Sequence, residues 1–143
     1  MYIFEYERLN EMCQAYALAK GGRYLHLFSS PEPITGICEM NDTVYCSVGT
    51  GIYSYSPQNK KLTPLFALAK ENNIISLTSD QTSGILYFST PKAIYALKGN
   101  SLIKITDEFP GSSVKYYGNG LIIFSAFSRD LLRIMNVESP IGF

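Results

Sequence analysis

Val44-Tyr45-Cys46-Ser47-Val48-Gly49-Thr50-Gly51-Ile52-Tyr53-Ser54-Tyr55 returns further along the chain as Leu86-Tyr87-Phe88-Ser89-Thr90-Pro91-Lys92-Ala93-Ile94-Tyr95-Ala96-Leu97. Tyr45 and Tyr87 stand 42 positions apart, and a Ser, an Ile and a second Tyr recur at the same offset. A repeat of about 40 residues, made of short apolar runs and turn residues, is the mark of stacked blades or a solenoid. One such unit cannot bury its own apolar face and needs a neighbour.

Superposing the Tyr-Ser runs aligns three long phrases, 34–66, 74–106 and 114–137, each built of apolar runs separated by turns. Asn41-Asp42-Thr43, Gly49-Thr50-Gly51, Pro57-Gln58-Asn59, Lys98-Gly99-Asn100 and Gly118-Asn119-Gly120 supply the positive φ that tight hairpins demand. Connections this short leave no room for parallel crossovers, so an antiparallel meander is expected. Its strands fall at 2–6, 14–18, 23–28, 34–40, 44–48, 52–56, 62–66, 74–78, 85–89, 93–97, 101–106, 113–117, 121–125 and 131–137. They group as two four-stranded units, 34–66 and 74–106, with partial units at 1–28 and 113–137, in a single domain 1–143. Ala17-Leu18-Ala19-Lys20 and Ala67-Leu68-Ala69-Lys70 are good helix formers but too short to persist, so one helical turn near 67–72 is the most expected.

Composition narrows the function classes. Twelve basic and twelve acidic side chains cancel, which leaves no excess charge to draw nucleic acid or an acidic membrane. The aromatics are 11 Tyr and 8 Phe with no Trp, a usage suited to pleated surfaces. No apolar run approaches the roughly 20 residues of a membrane helix. Met1 leads into Tyr2-Ile3-Phe4-Glu5-Tyr6-Glu7 and not into a basic and then apolar leader, so the sequence as written reads as cytoplasmic or intravirion.

The phrase Thr43-Val44-Tyr45-Cys46-Ser47-Val48-Gly49-Thr50-Gly51-Ile52-Tyr53-Ser54-Tyr55-Ser56-Pro57 resembles the β-propeller repeat of two-component-regulator sensors, and quinoprotein-type blades share its rhythm. Ser56 stands where that repeat has an aspartate, Tyr45 replaces a Trp before the Gly-Thr turn, and Pro91-Lys92 replaces its glycines in the second copy. The resemblance implies an all-β fold of antiparallel four-stranded blades. At repeats near 40 residues the chain reaches about three and a half of them.

The candidate chemistry is sparse. His26 is the one histidine, and its alternating segment fits an outer blade strand better than a catalytic or ligand role. Cys13, Cys38 and Cys46 form no metal-ligand spacing. If Asn41-Asp42-Thr43 closes a three-residue hairpin, Cys38 lies opposite Cys46, where a disulfide is geometrically open and two buried thiols are the commoner outcome. Glu5, Glu7, Glu11 and Asp107-Glu108 read as solvated charge, and Asp80-Gln81-Thr82-Ser83-Gly84 as turn chemistry. No nucleophile elbow or phosphate loop occurs, so no catalytic residue, cofactor or metal is assigned.

The expectation is therefore a non-enzymatic interaction or assembly module, a propeller segment completed by another copy, a larger complex or a longer parent protein. A sensory or sugar-like-ligand-binding propeller is the first alternative, and a propeller-type enzyme the second. Partner contacts are expected at the terminal strands and at one eccentric loop: Tyr2, Phe4, Tyr6, Phe127, Arg129, Leu131 and Ile134. Protein partners are expected, with no nucleic acid and no membrane insertion.

Overall fold

Short apolar runs punctuated by turns give strands almost throughout. The computed structural model describes residues 2–7, 12–69, 72–125 and 130–137, and among them are fourteen β-strands and no helix. The first sheet holds β1 (Tyr2–Glu7), β2 (Met12–Leu18) and β3 (Tyr24–Ser30). The second holds β4 (Ile34–Met40), β5 (Thr43–Val48), β6 (Gly51–Ser56) and β7 (Lys61–Ala67). The third holds β8 (Ser76–Asp80), β9 (Ile85–Ser89), β10 (Ile94–Lys98) and β11 (Ser101–Thr106). The fourth holds β12 (Ser112–Tyr117), β13 (Gly120–Ser125) and β14 (Leu131–Asn136). Strands pair antiparallel with their chain neighbours in every sheet.

The sheets stack in chain order, and three apolar clusters lie between them. Cys13, Ala15 and Phe28 of the first sheet meet Ile34, Cys46, Val48 and Tyr55 of the second. Met40 and Ile52 on the other side of the second sheet meet Ile74, Leu77, Leu86, Phe88 and Leu97. Ile85, Tyr87, Ile94 and Ala96 then meet Val114, Leu121 and Ile123 of the fourth sheet. Each middle sheet thus has a front face toward its predecessor and a rear face toward its successor. Side chains alternate along a strand, so one strand serves both clusters.

This arrangement explains the repeat. Tyr45 and Tyr87 take matching places on the rear faces of β5 and β9, Ile52 and Ile94 do so on β6 and β10, and Tyr53 and Tyr95 face forward. Ser47 and Ser89 are both fully buried, where a hydroxyl needs a partner. Each finds one on its own sheet's first strand or just beside it: Thr35 Oγ1 at 2.8 Å and Ser76 Oγ at 2.6 Å.

The first strands β4, β8 and β12 lie side by side without forming a ladder, so hydroxyls join them instead. The amide of Val114 donates to Ser76 Oγ and that of Tyr116 to Thr78 Oγ1, both at 3.0 Å, while Ser79 Oγ donates to the Glu39 carbonyl at 2.8 Å. Gly36 admits β8 most closely: a Cβ there would lie 2.7 Å from Leu77 Cβ and 2.9 Å from the Leu77 nitrogen. Pro64 sits in β7, an outermost strand, where a missing amide costs no ladder bond.

Two expectations need correction. The β4–β5 hairpin closes on two residues, not three: Asn41 and Asp42 both take positive φ, 53° and 62°, and Met40 pairs with Thr43. This primed turn matches strand twist and lets β-branched Thr43 join the ladder. The one-residue change sends Cys38 opposite Tyr45 and Cys46 opposite Ile37, on different faces, and the three cysteines are free thiols. The strand expected at 74–78 runs Ser76–Asp80. Ile74 instead spends its amide on the Gly49 carbonyl at 2.9 Å and its side chain on the second cluster, and Asp80 Oδ1 ends the strand by accepting from the Thr82 and Ser83 amides. The Asn72 amide donates to the Ala69 carbonyl at 2.9 Å, and residues 70 and 71, at the centre of the helical turn expected near 67–72, lie outside the described residues.

Candidate functional site

Four sheets in a closed ring would need four interfaces; among the described residues three are present, and no extensive contact joins the first sheet to the last. Two faces are therefore open among the described residues: the rear of the fourth sheet and the front of the first.

The rear of the fourth sheet is largely apolar. Register places Lys115, Ile122 and Ile134 in one row and Ser113, Phe124 and Leu131 in the next. Leu131 is 60% exposed and Ile134 54%, and Leu132 and Tyr117 are also exposed. Arg133 is turned away from this face by Glu108, which it meets at 3.1 Å, and by the ring of Phe109 beneath its guanidinium.

The front of the first sheet is mixed. Ile3, Glu5 and Glu7 alternate onto it opposite Tyr16, Gln14 and Met12, and Leu18 and Tyr24 are exposed there. His26 lies on this face with Nε2 at 2.7 Å from Gln14 Oε1 and 3.2 Å from Ser29 Oγ, edge-on to Tyr16. The Ser29 hydroxyl also bonds Gln14. Desolvation and then the Glu5 and Glu7 charges push the Tyr16 phenol above its ordinary pKa. His26 is thus tied into a sheet-surface network and meets no cluster of metal-ligating groups among the described residues.

Between the first strands runs a polar hollow of about 370 Å³, lined by Tyr2, Glu39, Thr78, Ser79, Gln81, Lys115 and neighbouring residues from all four sheets. Tyr2 donates its phenol to Glu39 Oε2 at 2.8 Å, and burial followed by this carboxylate raises its pKa to about 12. At the rim, a second hollow of about 440 Å³ is lined by Glu32, Thr35, the turn residues Gly49 and Thr50, and Asn73. Burial alone accounts for most of the rise of the Cys38 and Cys46 thiols to about 12, so neither is a thiolate near neutrality.

The residues expected to bind a partner fall into three sets. Leu131 and Ile134 lie together on the open rear face. Tyr2, Phe4 and Tyr6 share the side of β1 that faces the second sheet; Tyr2 is engaged by Glu39, while Phe4 and Tyr6 are 42% and 55% exposed. Phe127 and Arg129 lie outside the described residues. Sequence reading placed contacts over 121–143 without singling out Ile122 and Phe124, and did not include Lys115 and Tyr117, as members of the rear face. Their signal was alternation with Leu121 and Ile123, which is visible only once it is known which set faces the third sheet.

No family model matches the chain, and no curated protein matches it in sequence. Among solved structures the chain is similar to one titled as the crystal structure of a nidogen/laminin complex, at 13% identity and a TM-score of 0.68, over 87% of this chain and 52% of that one. A computationally designed protein, Ika4, aligns at 11% identity and a TM-score of 0.46 over 76% of each chain. The chain spans about half the length of the first of these. The first likeness is one of fold, and with the sheet order it makes the chain an all-β array of antiparallel blades, a partial β-propeller.

Proposed function

We propose that the chain is a non-enzymatic interaction and assembly module, a single unit of four partial or complete blades whose open ends are covered by protein. The observation that carries this is the rear face of the fourth sheet, where Ile122, Phe124, Leu131 and Ile134 form a blade-packing surface with nothing described upon it. Exposed apolar faces of this kind are interaction surfaces. The similar solved structure is itself of a protein–protein complex, which agrees with this reading without extending that partner to this chain. Covalent footprinting tests it. Leu131, Leu132 and Ile134 should be protected in fresh native extract and labelled in a denatured control. Full labelling of the folded chain in extract would refute the module.

A second reading rests on the two hollows. The axial hollow is polar, and the rim hollow is lined by turn residues, as a small-ligand funnel would be. The likeness of the Thr43–Pro57 phrase to sensor blades supports the same reading. Titration of mono- and disaccharides followed by Tyr fluorescence would test it, with Lys115→Ala as the control.

A further inference from the structure

Building on the interaction-module reading, we infer that the occupant of the open rear face is the front face of a second copy of this chain, so that two copies close one ring. The three interfaces present all have one polarity, rear face of one sheet on front face of the next. A head-to-tail contact between copies continues that series; a rear-to-rear contact reverses it.

Charge selects the same polarity. The strands of the first sheet carry Glu5 and Glu7 and no Lys or Arg, and those of the fourth carry Lys115 and Arg133 and no Asp or Glu. Arg133 is occupied by Glu108, which leaves Lys115 as the cation of the rear face; it stands at the face's inner edge, where it also lines the axial hollow and acts on Cys38, with no carboxylate within salt-bridge reach among the described residues. Rear against rear would offer Lys115 no unpaired carboxylate, and front against front would offer Glu5 no Lys or Arg. Only the head-to-tail arrangement brings opposite charges together.

Geometry gives Lys115 its task. It is the counterpart of Thr78 in β8, whose hydroxyl bonds the neighbouring first strand, and of Cys38 in β4. In the first sheet β1 is the counterpart of β5, β9 and β13, so a first strand is lacking there among the described residues. Coming round the ring from Lys115, the next backbone is one strand further away, about 4.8 Å. A threonine cannot cross that gap, but a lysine stem can, and Glu5 on β1 is exposed at the far side. A heterologous contact closes a ring or grows a filament. Two chains of four sheets make eight, the top of the 4–8 range of closed propellers, whereas three would exceed it.

The test is light scattering and sedimentation equilibrium of the full chain, with Lys115→Glu, Glu5→Lys and the double reversal. Both side chains are exposed, so unchanged thermal melts at low concentration control for folding. The expected result is a particle of twice the 16.0 kDa chain mass, each single reversal weakening association roughly tenfold or more, and the double variant recovering most of the loss. An assembly indifferent to both reversals but lost in Ile134→Asp would overturn the ring and leave the interaction module standing. A 16.0 kDa particle at every concentration would also overturn the ring. If footprinting in extract then showed no protection of β14, the module would fail with it.

Discussion

The rear faces of the third and fourth sheets are written in the same chemistry and meet opposite fates. On the third, Tyr87, Ile94 and Ala96 are all but inaccessible; on the fourth, Leu131 and Ile134 are more than half exposed. Both alternate apolar side chains down adjacent strands, and both are backed by an apolar front face. Apart from Lys115, which stands on the fourth where the third has Thr78, what separates them is the neighbour. Patterning specifies a surface fit for packing, and burial is supplied by whatever packs there. The comparison therefore separates a covered apolar face from an open one.

The harshest way to probe the buried side is to charge it. Cys38 on the rear of the second sheet, Cys46 on its front and Tyr87 on the rear of the third are all raised to about 12, chiefly by burial, from ordinary values of 9.0 for the thiols and 10.0 for the phenol. Folded pKa values above unfolded ones mean that the stabilisation is whole below about pH 9 and is lost as pH climbs toward 12. Urea midpoints should be flat from pH 7 to 9 and collapse above, and a flat profile to pH 11 would deny the burial of these groups.

Truncation comes next. Ile94→Ala should cost about 2–5 kcal/mol in equilibrium unfolding, since it opens a cavity in the third cluster. Gly36→Ala should cost about 1–3 kcal/mol by forcing β4 and β8 apart, because one of the atoms its Cβ meets is backbone. An unchanged melting temperature would mean that the strands separate freely. Tyr87→Phe is a finer probe. The Tyr87 hydroxyl is buried without a hydrogen-bond partner among the described residues, so removing it should be neutral or slightly stabilising. The smallest effect is expected at Ile134→Ala, below about 0.5 kcal/mol in the dilute single chain. A loss there as large as at Ile94 would erase the distinction between the two rear faces.

The strands were legible because turn residues and apolar runs are local signals. Asn41-Asp42, Gly49-Thr50 and Gly118-Asn119 punctuate the chain where the backbone does turn. The repeat located equivalent positions for the same reason: Ser47 and Ser89 solve one local problem twice, a buried hydroxyl beside a first strand. Register was not legible at the β4–β5 turn, where the choice between two and three loop residues rests on the φ of Asn41 and Asp42. The open rear face was half legible. Leu131 and Ile134 could be named as terminal and apolar, but Lys115, Ile122 and Phe124 join them through cross-strand register. The hydroxyl bonds from Ser76 and Thr78 to the next first strand span 38 residues and left no local trace.

The nearest-neighbour stacking of the sheets has a kinetic consequence. With each sheet's main contacts, among the described residues, made to those beside it, stability is approximately a sum of sheet terms and interface terms, and disorder enters from the ends. The first and fourth sheets each lean on one cluster, whereas the second and third lean on two. Opening should therefore be sequential, with the outer sheets fraying while Leu86–Phe88 and Ala96 keep their amides protected longest against exchange. A partner that covered the open ends would act as a clamp on fraying, its grip transmitted to the centre one interface at a time.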